Sequence, residues 1–214
     1  MRELLGVFIG YLLGSVLPAI VFGRMSGVDI REVGTGNPGT QNAVRELGTV
    51  AGVITGVYDT AVGLLAVYVA QVLGLSSGWM YASGVAAVIG HRFPVFFGFR
   101  GGEGMAASTA LLAWAMWVAT VNGWLSVAGI GALVIVAFLV YALTRESTVI
   151  GVVTLPLLWL QIIVARPDLS FALFLTAIAF NIWWLQLGIA RDGHLLRLAE
   201  PVRAQIDRWR VAGR

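Results

Sequence analysis

The chain contains no cysteine and no lysine. Without cysteine there are no disulfides, thiolate nucleophiles or zinc–thiolate sites. Without lysine there is neither Schiff-base chemistry nor a lysine phosphate anchor, which leaves arginine to meet every anion. Charge is scarce too. Only 12% of the 214 residues are charged, against about a quarter in a soluble domain. What fills the space is apolar: 58% of the chain is hydrophobic, and runs of about 20 such residues recur, enough to cross a bilayer core. These absences predict an all-α polytopic membrane protein with one compact bundle, bound by membrane lipids rather than nucleic acid. The run beginning near Leu4 lacks a basic leader and a polar cleavage site, so it reads as a retained span.

Seven transmembrane helices are expected, near 4–22, 49–74, 79–97, 104–121, 125–143, 148–165 and 169–189. Pro94 breaks the third and makes its end partly re-entrant. The loops sort by arginine. Arg24, Arg31, Arg45, Arg92, Arg100, Arg145 and the six arginines of the tail fall on one side, and only Arg2 and Arg166 on the other. The positive-inside rule then places the N-terminus outside and the C-terminus in the cytoplasm. Most of the 27 glycines read as helix packing, as in Gly10…Gly14 and Gly52…Gly56. Residues 1–200 form a single transmembrane domain. Residues 201–214 form a cytoplasmic tail with Val202, Ile206 and Trp209 at helical spacing among Arg203, Arg208 and Arg210. It reads equally as a basic amphipathic segment on an anionic leaflet or as a solvated positive tail.

Two stretches on the arginine-rich side carry the chemistry. The first is Gly34-Thr35-Gly36-Asn37-Pro38-Gly39-Thr40-Gln41-Asn42-Ala43-Val44-Arg45. The second is Gly90-His91-Arg92-Phe93-Pro94-Val95-Phe96-Phe97-Gly98-Phe99-Arg100-Gly101-Gly102-Glu103-Gly104. Each sets glycines, polar side chains and an arginine at the rim of a span. Glycine lets backbone N–H groups approach an anion, and arginine adds a fixed planar fork of donors. A helix starting near Asn42 points its free N–H groups back at the first loop. Two such loops on one face suggest a site for a phosphorylated substrate. Gly34, Gly36, Asn37, Gly39, Asn42, His91, Arg100, Gly101, Gly102, Glu103 and Gly104 are its candidate binding residues. The bland readings are a capped turn for the first loop, a topology anchor for Arg45 and a hydrogen-bonded structural residue for His91.

Asp59 lies about 15 Å along the second span, at a rise of about 1.5 Å per residue. An ionisable group at that depth costs on the order of 3 kcal/mol to insert and faces a partner or cavity. It is expected to turn inward, as a structural residue, and meet an arginine or polar backbone. Asn181, Trp183, Trp184 and Gln186 in the last span are candidates to line a cavity, with the tryptophans first read as interfacial. No metal site and no cofactor are expected.

The two stretches resemble the bacterial acyl-phosphate:glycerol-3-phosphate acyltransferase family, PlsY, whose motifs run close to GSGNPGATNVLR and GHxFPVFLGFKGGKG. Their order, separation and side match as well. The resemblance implies transfer of a fatty acyl group from acyl phosphate to the sn-1 hydroxyl of glycerol 3-phosphate, giving lysophosphatidic acid, by a monomer in the plasma (inner) membrane with its active site on the cytoplasmic face. It implies catalytic roles for Thr35, which stands where the family has serine, and for Arg45. It also implies that a substrate phosphate oxygen takes the proton. The departures are specific. Glu103 and Val62 stand where the family has lysines. The third family motif, near HRENIKRLLxGTE, is worn to Arg191-Asp192-Gly193-His194-Leu195-Leu196-Arg197-Leu198-Ala199-Glu200. Two other classes fit the same residues: a paralogue that binds phosphorylated lipid precursors without turnover, and a small-solute transporter.

Overall fold

A computed structural model describes residues 1–145, 147–165 and 167–189. Every regular element among the described residues is helical: α1 Arg2–Gly14, α2 Pro18–Met25, α3 Thr40–Leu47, α4 Thr49–Val72, α5 Ser77–Arg92, α6 Met105–Val121, α7 Val127–Thr144, α8 Ser147–Val164 and α9 Leu169–Ile189, with a short 3₁₀ turn at Val95–Phe97. Arg166, the worn third motif and the 201–214 tail lie outside the described residues.

The first expected span is not one helix. It breaks after Gly14 and resumes at Pro18, with a bend of 42°. Proline has no N–H to continue the ladder, and it pushes the preceding residue out of the helical region. Leu17 is accordingly extended, at φ −117° and ψ 102°. The third span ends at Arg92, ahead of Pro94, as the proline requires. Between the first two spans lies a separate amphipathic helix, α3, closed by Gly48 at φ +93°. Among the described residues three helices, α4, α7 and residues 169–187 of α9, are long and apolar enough to cross a membrane, or four if α1 and α2 are one bent span.

The bundle has large residues outside and small residues at the helix seams. α4 exposes Val53, Val57 and Tyr68 while burying Ala51, Gly52, Gly63, Ala66 and Ala70. α7 buries none of its residues. This is the pattern of a chain solvated by lipid tails, where close backbone approach replaces hydrophobic burial as the glue. The tightest seam joins α1 to α5. A Cβ on Gly10 would collide with the Ser83 carbonyl oxygen, and one on Gly14 would press closer still into that of Ala87.

Two cores follow. The larger lies among α4, α5, α6, α8 and α9, and holds a cluster of Tyr81, Trp114, Phe171 and Phe174 with ring centroids 5.0–6.2 Å apart. The smaller holds Leu17, Ala19, Ile20, Ile30 and Ala43, with Phe97 packed on it. It fastens α2, α3 and the turn after α5 together, directly beneath the glycine-rich loops.

Candidate active site

The first loop is shaped by one side chain. Asn42, in the first turn of α3 and 2% exposed, accepts a hydrogen bond from the Thr35 N–H at 3.0 Å and donates to the carbonyls of Ile30 and Val33, each at 3.0 Å. All of its amide valences serve the loop. Gly34 turns beside it at φ +59°, where a Cβ would collide with the Asn42 Oδ1. The Thr35 hydroxyl accepts a long bond of 3.4 Å from the Asn37 N–H.

The second loop is shaped by its own backbone. After α5 ends, the Phe97 and Phe99 N–H groups donate to the Pro94 carbonyl at 3.2 and 2.9 Å. The Gly101 N–H donates to the Arg92 carbonyl at 3.2 Å, and the Gly102 N–H to that of His91 at 3.0 Å. The loop therefore folds back over the end of its own helix. Gly102 comes so close to the imidazole that a Cβ there would lie 2.6 Å from His91 Nε2 and 3.2 Å from Asn37 Oδ1.

Arg31 clasps the two loops. Its Nε and Nη2 hold the Asp29 carboxylate at 2.9 and 2.7 Å, while Nη1 donates to the Phe97 carbonyl at 3.1 Å and the Arg100 carbonyl at 3.4 Å. The hydrogen bond from Arg31 holds the Asp29 carboxyl down to about 2, and the same bond raises the Arg31 guanidinium above its ordinary value. Arg24 adds a contact 4.9 Å over the Phe97 ring.

Between the loops lies a cleft of about 350 Å³. Thr35, Asn37, Gly39, Thr40, Gln41 and Asn42 form one wall, and Glu103, Gly104, Met105 and Ala106 form the other. Asp59 and His91 also line it. Asp59 turns inward as its depth in the membrane requires. Its partner is His91, with Oδ1 and Nδ1 3.8 Å apart, rather than an arginine or backbone group. α5 crosses α4 there and brings the imidazole to the carboxylate.

The remaining sequence candidates sit as follows. Gly36 adopts φ +72° outside the lining set. Gly101 and Gly102 form the fold-back of the second loop. Arg45 is exposed on α3, without a partner among the described residues. Arg100 is exposed and reaches Glu32 at 4.0 Å. Glu103 is exposed at the cleft and pairs with neither Arg92 nor Arg100. Val62 is fully buried in the larger core. Sequence reasoning did not single out Arg31 or Gln41, and although it named Asn181 as a cavity candidate it did not join that residue to Arg92 and Ser108. In that cluster the Asn181 amide donates to Ser108 Oγ at 2.9 Å and accepts from Arg92 at 3.5 Å. The signal for Arg31 was the Asp29-Ile30-Arg31 spacing. An apolar groove of about 580 Å³ lies between α5 and α9, lined by Val85, Ile89, Phe93, Phe180 and Trp184, with Arg92 and Asn181. Trp183 instead donates its Nε1–H to the Val152 carbonyl at 3.3 Å. Gly104 separates groove from cleft: a Cβ there would meet Val88 at 3.1 Å and Asn181 at 4.0 Å.

Fold and cleft together define a helical membrane protein with a polar pocket held between two glycine-rich loops. The chain belongs to the glycerol-3-phosphate acyltransferase family, whose pattern matches residues 4–191. It is 43% identical over 113 residues to glycerol-3-phosphate acyltransferase 1 of Deinococcus radiodurans, covering 53% of this chain and 57% of that protein. It is 40% identical over 161 residues to glycerol-3-phosphate acyltransferase 4 of Dehalococcoides mccartyi, covering 75% and 82%. The match to the Deinococcus protein and to its counterparts in Geobacter sulfurreducens and Rubrobacter xylanophilus spans 53–57% of each relative's length. The fold is similar to the crystal structure of PlsY (YgiH), an integral membrane glycerol 3-phosphate acyltransferase, in its glycerol 3-phosphate form. There the TM-score is 0.63 at 27% identity, over 94% of this chain and all of that one.

Proposed function

We propose that this chain moves a fatty acyl group from acyl phosphate to the sn-1 hydroxyl of glycerol 3-phosphate, giving lysophosphatidic acid for phospholipid synthesis. The observation that carries this reading is the convergence of both glycine-rich loops of a family member on one cleft, next to an apolar groove. Acyl phosphate is a mixed anhydride with a good leaving group. The protein's tasks are to align hydroxyl and carbonyl and to neutralise two phosphates. Thr35 and Asn37 orient glycerol 3-phosphate against the first loop. Arg45 swings from α3 onto a substrate phosphate. The groove between α5 and α9 takes the acyl chain, with Arg92 at its edge for the donor phosphate. Glu103, where the family has lysine, weakens phosphate binding relative to other members.

We read the chain as a seven-span monomer in the plasma membrane; the arginine distribution supports an N-terminus outside and a cleft on the cytoplasmic face. A reporter fused after Arg214 is expected to read cytoplasmic, and a periplasmic reading refutes that topology. The activity is tested with purified full-length protein, palmitoyl phosphate and labelled glycerol 3-phosphate, followed by lipid extraction. Labelled lysophosphatidic acid with release of inorganic phosphate is the expected result. Substrate binding without product sinks the enzyme reading in favour of a non-catalytic binder.

A further inference from the structure

Resting on that acyl-transfer reading, we propose that Asn181 and Ser108 brace Arg92 as the anchor for the acyl donor's phosphate, so that these residues of α9, α6 and α5 set donor affinity and leave acceptor affinity to the first loop. Arg92 is the last residue of α5 and is half-buried. It stands in the wall of the groove between α5 and α9, where it and Asn181 interrupt an aliphatic and aromatic lining that includes no carboxylate. A guanidinium carries five N–H donors and keeps its charge. Among the described residues Arg92 has no ion pair and engages one donor only, in the long 3.5 Å bond to Asn181 Oδ1. The Phe93 ring centroid lies 6.0 Å from its Cζ. A cation withdrawn into apolar surroundings with one neutral hydrogen bond lacks the anion that would offset its desolvation. Arg31 is the opposite case: its guanidinium is already committed to the Asp29 carboxylate and to loop carbonyls.

The brace fixes where the charge points. Guanidinium only donates, so the Asn181 carbonyl oxygen faces Arg92 and the amide nitrogen faces Ser108 Oγ, to which it donates at 2.9 Å. Ser108 is fully buried on α6, so the amide is held from a packed helix. The pattern that the second stretch resembles leaves the position after His91 open, and the arginine there is not dictated by it.

The place suits a donor with one long chain and one phosphate. Along α5 the groove runs from Arg92 back to Val85, about 10 Å at about 1.5 Å per residue, with the charge at one end. Gly104 separates groove from cleft. It lines the cleft, and a Cβ on it would lie 3.1 Å from Val88 and 4.0 Å from the Asn181 amide nitrogen, both on groove residues. A chain laid in the groove with its phosphate on Arg92 brings its acyl carbon to that glycine gap, toward a hydroxyl held in the cleft. The cleft also carries the Glu103 carboxylate, which disfavours a second phosphate inside it and leaves the donor phosphate to Arg92. Arg92 binds substrate; Asn181 and Ser108 are positioning residues.

The test is steady-state kinetics of the full chain, with palmitoyl phosphate and glycerol 3-phosphate varied separately. Arg92→Gln is expected to raise KM for palmitoyl phosphate about tenfold or more, as for loss of a charge-assisted contact, and to move KM for glycerol 3-phosphate less than about threefold. A donor KM within about threefold of wild type overturns the proposal. Asn181→Asp separates an anchor from a structural bond. Its carboxylate pairs with Arg92 and competes with the donor phosphate, so this variant is expected to melt at or above the wild-type temperature and still raise the donor KM about tenfold. A purely structural contact would be strengthened by the aspartate with the donor KM unchanged, and that result also overturns the proposal. If Arg92→Gln does not fold, Asn181→Asp carries the test alone. Binding without turnover is read with hexadecyl phosphate, expected to raise the melting temperature of the wild type but not of either variant; equal shifts in all three overturn the anchor. An inactive wild type that shows this difference overturns the acyl-transfer reading and keeps the anchor, whereas an active wild type whose donor KM ignores both substitutions overturns the anchor alone.

Discussion

The two glycine-rich loops do similar work by opposite means. The first is organised from a side chain: the Asn42 amide gathers Ile30, Val33 and Thr35 around itself. The second is organised from its backbone, where the carbonyls of His91, Arg92 and Pro94 accept four N–H groups of residues 97–102. A loop built around a side chain fails when that one side chain is lost. A loop built on backbone contact fails when a side chain is added where the backbones touch. Glycine therefore has different meanings in the two motifs. In the first it turns the chain past Asn42, and in the second it lets the chain lie against the end of a helix.

The largest effect is expected from adding an atom to the second loop. A Cβ on Gly101 would sit 2.5 Å from Pro94 Cδ and closer still to the His91 carbonyl oxygen. Gly101→Ala should cost about 100-fold or more in turnover, since displacements of about 1 Å at a reacting centre have effects of that order. Gly98→Ala is the control: it meets no atom within 4 Å but is strained by φ +68°, and should show a stability loss of only about 1 kcal/mol with activity kept. Equal losses in both variants would break the contrast between contact and conformation.

Removing a group from the first loop comes next. Asn42→Ala leaves a buried N–H and two carbonyls without their partner. It should lower the unfolding free energy by about 2–3 kcal/mol, seen as a fall in melting temperature. Asn42→Asp keeps the acceptor for Thr35 and loses both donors, so it should lose as much or more. Wild-type stability in either variant would show that the loop does not depend on its side chain.

The two arginines sharpen the comparison at the level of binding. Arg45 has no partner among the described residues, whereas Arg100 reaches Glu32 at 4.0 Å. Arg45→Ala should lower kcat/KM about 30-fold, or about 2 kcal/mol. Arg100→Ala should lower it less than about threefold, as for an exposed pair. The reverse order would move the phosphate contact to the second loop. Smaller again is Glu103→Lys, expected to lower KM for glycerol 3-phosphate severalfold. Abolished activity would instead make the glutamate part of a rebuilt site.

The smallest effect concerns the clasp. The Asp29 carboxyl is held at about 2, below its unfolded value of about 3.9. Its contribution is present above the unfolded value and is lost as pH falls through about 2. Arg31→Ala should therefore leave the pH dependence of stability unchanged between pH 5 and 8, and raise KM no more than about threefold, since the carboxylate of the pair faces solvent. A new titration near neutrality in that variant would mean that the clasp shields another group.

Much of this was legible in the chain. Helical class and membrane character follow from apolar runs and scarce charge. The two motifs follow from glycine, amide and arginine at span edges. The contacts inside the site were not legible, because they join residues far apart in sequence. Asn42 bonds to a carbonyl twelve positions back, and Asp59 meets a histidine on the next long helix. Depth alone indicated that Asp59 had a partner, but the partner's identity depends on how α4 and α5 cross. The break in the first span was marked by Pro18. Hydropathy runs straight across that break, because hydropathy does not sense a missing N–H.

The glycine seam between α1 and α5 has a consequence for how the chain is made. α1 leaves the ribosome ahead of α5, and the surface that matches Gly10 and Gly14 belongs to a helix synthesised only after α2, α3 and α4. At about 5–20 residues per second, that wait is on the order of several seconds. During it α1 holds its place among lipids with its glycine face unpaired, and the arrival of α5 closes that seam and sets the imidazole against the carboxylate in the same event.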